Sequence, residues 1–190
     1  LYPNNIEFNT DEWFYLEGLP MNSITIKSKR LELMRSYAER TNRGEDIFAP
    51  VKKVRWVKVK GKKKKRKQPY TEKLDTKAFI TQEWQTYLRS LSLSIDTARL
   101  DQMDRYARFS EANNELKFEW FLLNIRKENR SIRPKLKVFL IETGRRKYIL
   151  PLYRALMMHP TDKEWARSVF KEAQGGYHSV SRNSISEVFK

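Results

Sequence analysis

Residues 114–127 read NELKFEWFLLNIRK, and this stretch decides the fold. Leu116, Phe118, Trp120, Phe121, Leu122, Leu123 and Ile125 wrap nearly the whole circumference of a helix. A helix that is apolar almost all round belongs in the middle of a layered structure, with other helices covering it. The segments on either side supply those layers. Upstream, Ile80, Trp84, Tyr87, Leu88 and Leu91 form an i, i+4, i+7, i+8, i+11 stripe. Asp96 stands where it can cap the next helix, whose inner positions include Leu100, Met103 and Ala107. Downstream, Leu136 to Ile141 and Tyr148 to Met157 give two more helices.

Thr161-Asp162-Lys163-Glu164 has the capping-box pattern and opens a helix with Trp165, Ala166, Val169, Phe170 and Ala173 on one face. Gly175-Gly176 ends it, and the polar last twelve residues have room for a short terminal helix. Nearer the start, residues 25–43 read as a helix with Leu31, Met34 and Ala38 on one face, stopped at Gly44. Trp84, Trp120 and Trp165 fall on inner faces, whereas Trp13 precedes the first helix and has no stripe of its own. Consecutive helices with short links pack antiparallel, so the chain is expected to be all-α, a set of stacked helical hairpins. No internal sequence repeat accompanies that geometry.

The composition agrees. The chain has 190 residues, six glycines and seven prolines, with five Trp, nine Tyr and ten Phe to build a core. No cysteine is present, which excludes disulfides and thiolate metal sites and suits a reducing compartment. No apolar run is long enough to cross a bilayer, and no secretory signal is visible, so neither a membrane partner nor secretion is expected. The first residue is Leu1 rather than Met, and residues 1–24 already hold Trp13, Phe14, Tyr15 and Leu16. We expect a fragment of a longer protein, with 1–24 as a linker and 25–190 as a helical domain.

Residues 45–75 break the helical pattern with Pro50, Gly61 and Pro69, and read as a long, flexible insertion, with a strand pattern at most within 54–59. Residues 52–67, KKVRWVKVKGKKKKRK, hold eleven Lys or Arg and no acid, so eleven of the net +16 charges lie there. Like charges at that density repel, and the segment is expected to be solvated. Three readings stay open. Lys62, Lys63, Lys64, Lys65, Arg66 and Lys67 match a short basic import signal, which gives a nuclear or nucleolar location beside a cytoplasmic one and an import receptor as partner. The same run attracts RNA, with Trp56 able to stack on a base. It is equally a solvated loop with no receptor, with Trp56 packed back on the fold.

Candidate catalysis is mostly absent. A zinc peptidase of the HEXXH type needs two His four apart on a helix. Here there are only His159 and His178, nineteen residues apart. There is no Gly-rich phosphate loop before a helix and no G-x-S-x-G elbow. No catalytic residue, metal ligand or cofactor site is assigned, and the fragment alone is expected to be inactive. One short string does suggest chemistry, Gly144-Arg145-Arg146-Lys147, between two apolar segments. Cations at a helix start oppose the helix dipole unless an anion is near. Arg offers a planar fork for a carboxylate and Lys a compact charge. On spacing alone, an anion site and a solvated turn are both open.

Four pieces carry a family resemblance: EWFYLEGLP at 12–20, QMDRYARFSEANNELKFEW at 102–120, TGRRKYILPLYRAL at 143–156 and FKEAQGGYHSV at 170–180. Together they resemble the C-terminal helical domain of the leukotriene A4 hydrolase, aminopeptidase B and aminopeptidase O group of zinc metallopeptidases. The resemblance implies an armadillo/HEAT-like right-handed α-superhelix of about seven to nine helices in two layers. It implies a partner, the protein's own N-terminal catalytic domain carrying zinc, and a short peptide substrate whose C-terminal carboxylate is held by Arg145 and Lys147. Arg146 takes the family's variable position and gets no role. The lysine-rich insertion lies outside the common pattern and, within the group, fits aminopeptidase O best. Ser179 follows His178 where the family often has Pro.

Overall fold

A computed structural model describes residues 28–58 and 65–190. Eight α-helices lie among the described residues: α1 (Lys29–Asn42), α2 (Thr81–Arg89), α3 (Thr97–Ala107), α4 (Asn114–Arg126), α5 (Arg133–Glu142), α6 (Arg146–Met158), α7 (Lys163–Ala173) and α8 (Ser179–Val188). Single 3-10 turns at Phe109–Glu111, Arg130–Ile132, Pro160–Asp162 and Gln174–Gly176 link α3 to α4, α4 to α5, α6 to α7 and α7 to α8. The fold is all-α, with one two-stranded ribbon inserted between α1 and α2.

The helices pack by alternate members. α2 lies on α4, α4 on α6 and α6 on α8, which makes one row; α5 lies on α7 in a second. α1 closes the first row against α2, and α6 also touches α7. α4 sits in the middle as its composition requires: Leu116, Trp120, Phe121, Leu123 and Ile125 are buried, and Phe118 and Leu122 are half-buried. Aromatic rings connect the layers. Trp84 meets Phe109 edge-on with centroids 5.1 Å apart, and Phe109 lies 5.1 Å from Trp120. Such pairs add about 0.5–1.5 kcal/mol each beyond their burial.

Polar groups specify the junctions. Glu83 is only 3% exposed and accepts from Arg30 of α1 through Nη2 at 2.9 Å and through Nε. It also accepts the Ile80 backbone N–H at 2.8 Å, which satisfies a free donor at the start of α2. Asn124, fully buried in α4, donates to the Trp120 carbonyl at 2.8 Å and accepts from Asn129 at 2.8 Å. At the end of α1 the chain turns through Gly44 at φ +89°, a left-handed conformation that glycine adopts without a Cβ penalty.

Several expectations are corrected. The segment 45–75 is not structureless. Ile47 and Phe48 are buried in the core, Phe48 stacked on Trp84 at 6.3 Å, so the segment is pinned at its start. Beyond Pro50, strands β1 (Val51–Lys58) and β2 (Lys65–Glu72) pair antiparallel, with Val51 opposite Glu72 and Lys58 opposite Lys65. Backbone pairing tolerates the charge because the side chains point to solvent. Pro69 is accommodated because a two-stranded ribbon has only edge strands.

Ile80, read as part of the α2 stripe, sits at the cap and is exposed. Asp96 occupies the cap position of α3 without a side-chain bond to the backbone. The capping box at Thr161 does not form: a 3-10 turn spans Pro160–Asp162 and α7 starts at Lys163, so Thr161 is not its cap, and Glu164 pairs with Arg167 instead. Trp165 is half-buried at the edge of the core it packs against, with the Arg133 guanidinium 5.3 Å from its ring centre. Trp13 and the linker expected at 1–24 lie outside the described residues. No helix among the described residues is long and apolar enough to cross a membrane.

Candidate carboxylate-binding site

The turn between α5 and α6 holds the Gly-Arg-Arg-Lys string, and the fold fixes it from below. The Tyr177 hydroxyl donates to the Leu140 carbonyl at 2.5 Å, near the end of α5 where helix carbonyls lack intrahelical partners. Ser181 of α8 donates to the Gly144 carbonyl at 3.2 Å. A Cβ on Gly144 would meet only the Gly176 carbonyl oxygen, at an ordinary 3.6 Å, so the backbone there is unstrained. Arg145 is the N-cap of α6, and its carbonyl accepts from the N–H groups of Tyr148 at 3.0 Å and Ile149 at 3.3 Å. Pro151, inside α6, has no N–H, so the helical bond that would tie the Lys147 carbonyl to residue 151 is missing.

Arg145, Arg146 and Lys147 are all exposed, and Tyr148 beneath them is buried. The Arg145 guanidinium lies 5.6 Å from the centre of the Tyr148 ring and Lys147 Nζ lies 4.8 Å from it. The two predicted residues thus flank one aromatic ring. Arg146 makes no such ring contact among the described residues.

A third group completes the cluster. Lys147 Nζ donates to Glu115 Oε1 at 2.6 Å, and the Tyr148 hydroxyl donates to the same oxygen at 2.6 Å. Glu115 lies in the first turn of α4, the helix on which α6 packs. The Lys147 bond, first, and the Tyr148 bond, second, hold the Glu115 carboxyl below the usual carboxylate range, with the Arg145 charge acting in the same direction. The Lys147 ammonium is shifted upward, chiefly by its bond to Glu115. Around neutral pH this is therefore an ionised carboxylate in the field of two cations. Sequence reading missed Glu115 and Tyr148. Tyr148 is adjacent to Lys147, but nothing in the spacing links residue 115 to residue 147.

The six residues of the basic run fare differently. Lys65, Arg66 and Lys67 lie exposed on β2, whereas Lys62, Lys63 and Lys64 lie outside the described residues. No three of the His, Cys, Asp and Glu side chains described come together in a metal-binding group. His159 instead approaches Glu128 at 3.4 Å, and His178 Nδ1 accepts the Val180 N–H at 3.3 Å.

Residues 79–189, more than half of the chain, match the family model described as leukotriene A4 hydrolase, C-terminal. Among curated proteins, leucine aminopeptidase 2 of Ajellomyces capsulatus is 25% identical over 184 residues, covering 94% of this chain and 26% of that protein. Leucine aminopeptidase 2 of Yarrowia lipolytica is 31% identical over 84 residues, covering 44% of this chain and 13% of that protein. The chain thus spans about a quarter of the length of the first of these relatives and less of the second. The matched residues contain α2 to α8 entire, together with the whole Gly-Arg-Arg-Lys turn and the Glu115 carboxylate that faces it. The chain belongs to the leukotriene A4 hydrolase C-terminal domain family.

Proposed function

We propose that this chain is the helical domain of a zinc aminopeptidase that removes N-terminal residues from short peptides, and that Arg145 and Lys147 hold the peptide's C-terminal carboxylate. The observation that carries the reading is the ionised Glu115 carboxylate between Lys147 and the Tyr148 hydroxyl, with the Arg145 charge upon it. The cluster already stabilises one carboxylate, and a peptide carboxylate has the same charge and geometry. Arg145 bonds to no side-chain carboxylate among the described residues, so its fork is available for an incoming one. Holding a substrate by its far end fixes its length and orientation without taking part in bond cleavage. The zinc and the scissile bond belong on this reading to a catalytic domain against which the helical rows pack.

Peptidase kinetics on the full-length protein test it, with a tripeptide and the same tripeptide amidated at its C-terminus. The wild type is expected to prefer the free acid, and Arg145→Ala to lose that preference by raising KM with little change in kcat. Equal use of both peptides by the wild type would refute the anchor.

We read the Lys62–Lys67 run, in addition, as a nuclear or nucleolar import signal. The exposure of Lys65, Arg66 and Lys67 on β2 supports this. Neutralising the run in a fluorescently tagged full-length protein is expected to shift it to the cytoplasm; an unchanged distribution would refute the signal.

A further inference from the structure

The ribbon between α1 and α2 has two unlike faces. Paired residues in an antiparallel ladder share a face, and successive residues alternate. One face therefore carries Lys52, Val54, Trp56 and Lys58 from β1 with Thr71, Pro69, Lys67 and Lys65 opposite them on β2. All eight are exposed. The other face carries Val57, Gln68 and Tyr70, which are half-covered, and the Lys53–Glu72 ion pair. The ribbon thus turns its acid and its partly covered side chains one way, and an acid-free face the other.

Trp56 is 62% exposed near the middle of that acid-free face. Lys67, directly across the ladder, places its ammonium 5.3 Å from the centre of the indole ring. A large exposed indole is costly in water, and the ribbon gives it only Val54 and Pro69 as apolar neighbours, both exposed. Four lysines surround it at strand spacing, Lys52 and Lys58 on its own strand and Lys65 and Lys67 on the other. An aromatic platform within a strip of cations is the pattern that takes a base on the ring and phosphates on the ammonium groups.

We infer that the Trp56 face of the ribbon binds single-stranded nucleic acid, one base stacked on Trp56 and the flanking phosphates on Lys52, Lys58, Lys65 and Lys67. Charge complementarity selects a polyanion, and the exposed ring selects one with unstacked bases over a duplex or an acidic peptide. The site is independent of the carboxylate anchor.

Fluorescence anisotropy of a labelled oligouridine against the 190-residue chain tests it, with duplex RNA of equal length and poly-glutamate as competitors. The expected result is binding accompanied by loss of Trp56 fluorescence. Log K should fall against log salt with a slope of about −3, since each neutralised single-strand phosphate contributes about 0.7. Trp56→Ala is expected to weaken binding about ten-fold, and Trp56→Phe much less. Changing Lys58 and Lys67 together to Gln should lower the slope by roughly 1 to 1.5. All of these side chains are exposed, so the helical circular dichroism signal of each variant should match the wild type. Equal competition by poly-glutamate together with an unaffected Trp56→Ala would overturn the proposal in favour of an acidic protein partner. Absence of oligouridine binding at about 0.1 M salt would overturn it outright.

Discussion

Lys147 and Glu115 meet at 2.6 Å although 32 positions separate them in the chain. The contact exists because α4 and α6 lie side by side, with the first turn of each at the same end. Glu115 is 39% exposed and Lys147 49%, so the pair is solvated and exchangeable. On the proposed reading, a substrate carboxylate arriving at Lys147 has to share the ammonium with Glu115 and lies near a like charge. Glu115→Gln in the full-length enzyme should therefore lower KM for a free-acid tripeptide, by up to about five-fold, the scale of an exposed ion pair. The amidated peptide should be unaffected. A raised KM for the free acid would mean that Glu115 positions Lys147 instead of competing for it.

Acid should destabilise the junction of α1 and α2. The bond from Arg30, first, and the Ile80 backbone N–H hold the Glu83 carboxyl below its ordinary value. A depressed folded-state pKa means that its contribution is complete above the unfolded value, near 4.3, and is lost as pH falls through the lower folded one. Chemical denaturation between neutral pH and about pH 3 should show this loss in the wild type. In Glu83→Gln the acid limb should be flatter and the neutral-pH stability lower. Glu115 has the same sign but, being 39% exposed, should contribute less.

Tyr177 donates to the Leu140 carbonyl and lies 3.2 Å from the buried Tyr153 hydroxyl. Burial pushes both phenols upward, so neither ionises at ordinary pH. Tyr177→Phe leaves a carbonyl and a hydroxyl inside the protein without their partner, at a cost of about 1–3 kcal/mol. Thermal unfolding should show a fall of several degrees in Tm. The α5–α6 turn should loosen as well, because Tyr177 supports it.

Arg108, which caps α3 at φ 53°, adopts a left-handed conformation that an L side chain resists. Its ion pair with Glu111 is exposed and worth little. Arg108→Gly should therefore stabilise the chain, by about 0.5–1 kcal/mol, measured by urea titration.

Much of this was legible wherever burial imposed the helical period. The all-round apolar character of α4 placed it centrally, and Trp84, Tyr87, Leu88 and Leu91 on one side, with Ala166, Val169, Phe170 and Ala173 on another, mark faces that are buried. The ribbon was only partly legible: a strand was readable within 54–59, inside β1, but Lys52 and Lys53 side by side break the alternation, and nothing in the run at 65–72 marks β2. The capping box at Thr161 failed because the chain first makes a 3-10 turn through Pro160–Asp162, which moves the start of α7 to Lys163 and takes Thr161 out of the cap position. The candidate site was half legible. Arg145 and Lys147 share a turn that the local sequence makes, whereas Glu115 enters only through the packing of α4 on α6.

The alternate packing of the helices has a further consequence. Because α2 touches α4, and α4 touches α6, the ribbon and the Arg145 turn are joined in series, with two helix interfaces between them. A strain applied at Trp56 has to pass through both interfaces to reach Lys147, and close-packed helices absorb part of it at each. The ribbon is therefore a separable fitting: with Ile47 and Phe48 kept in the core, a change in its length or charge has to cross two helix interfaces before it reaches the turn at 143–147.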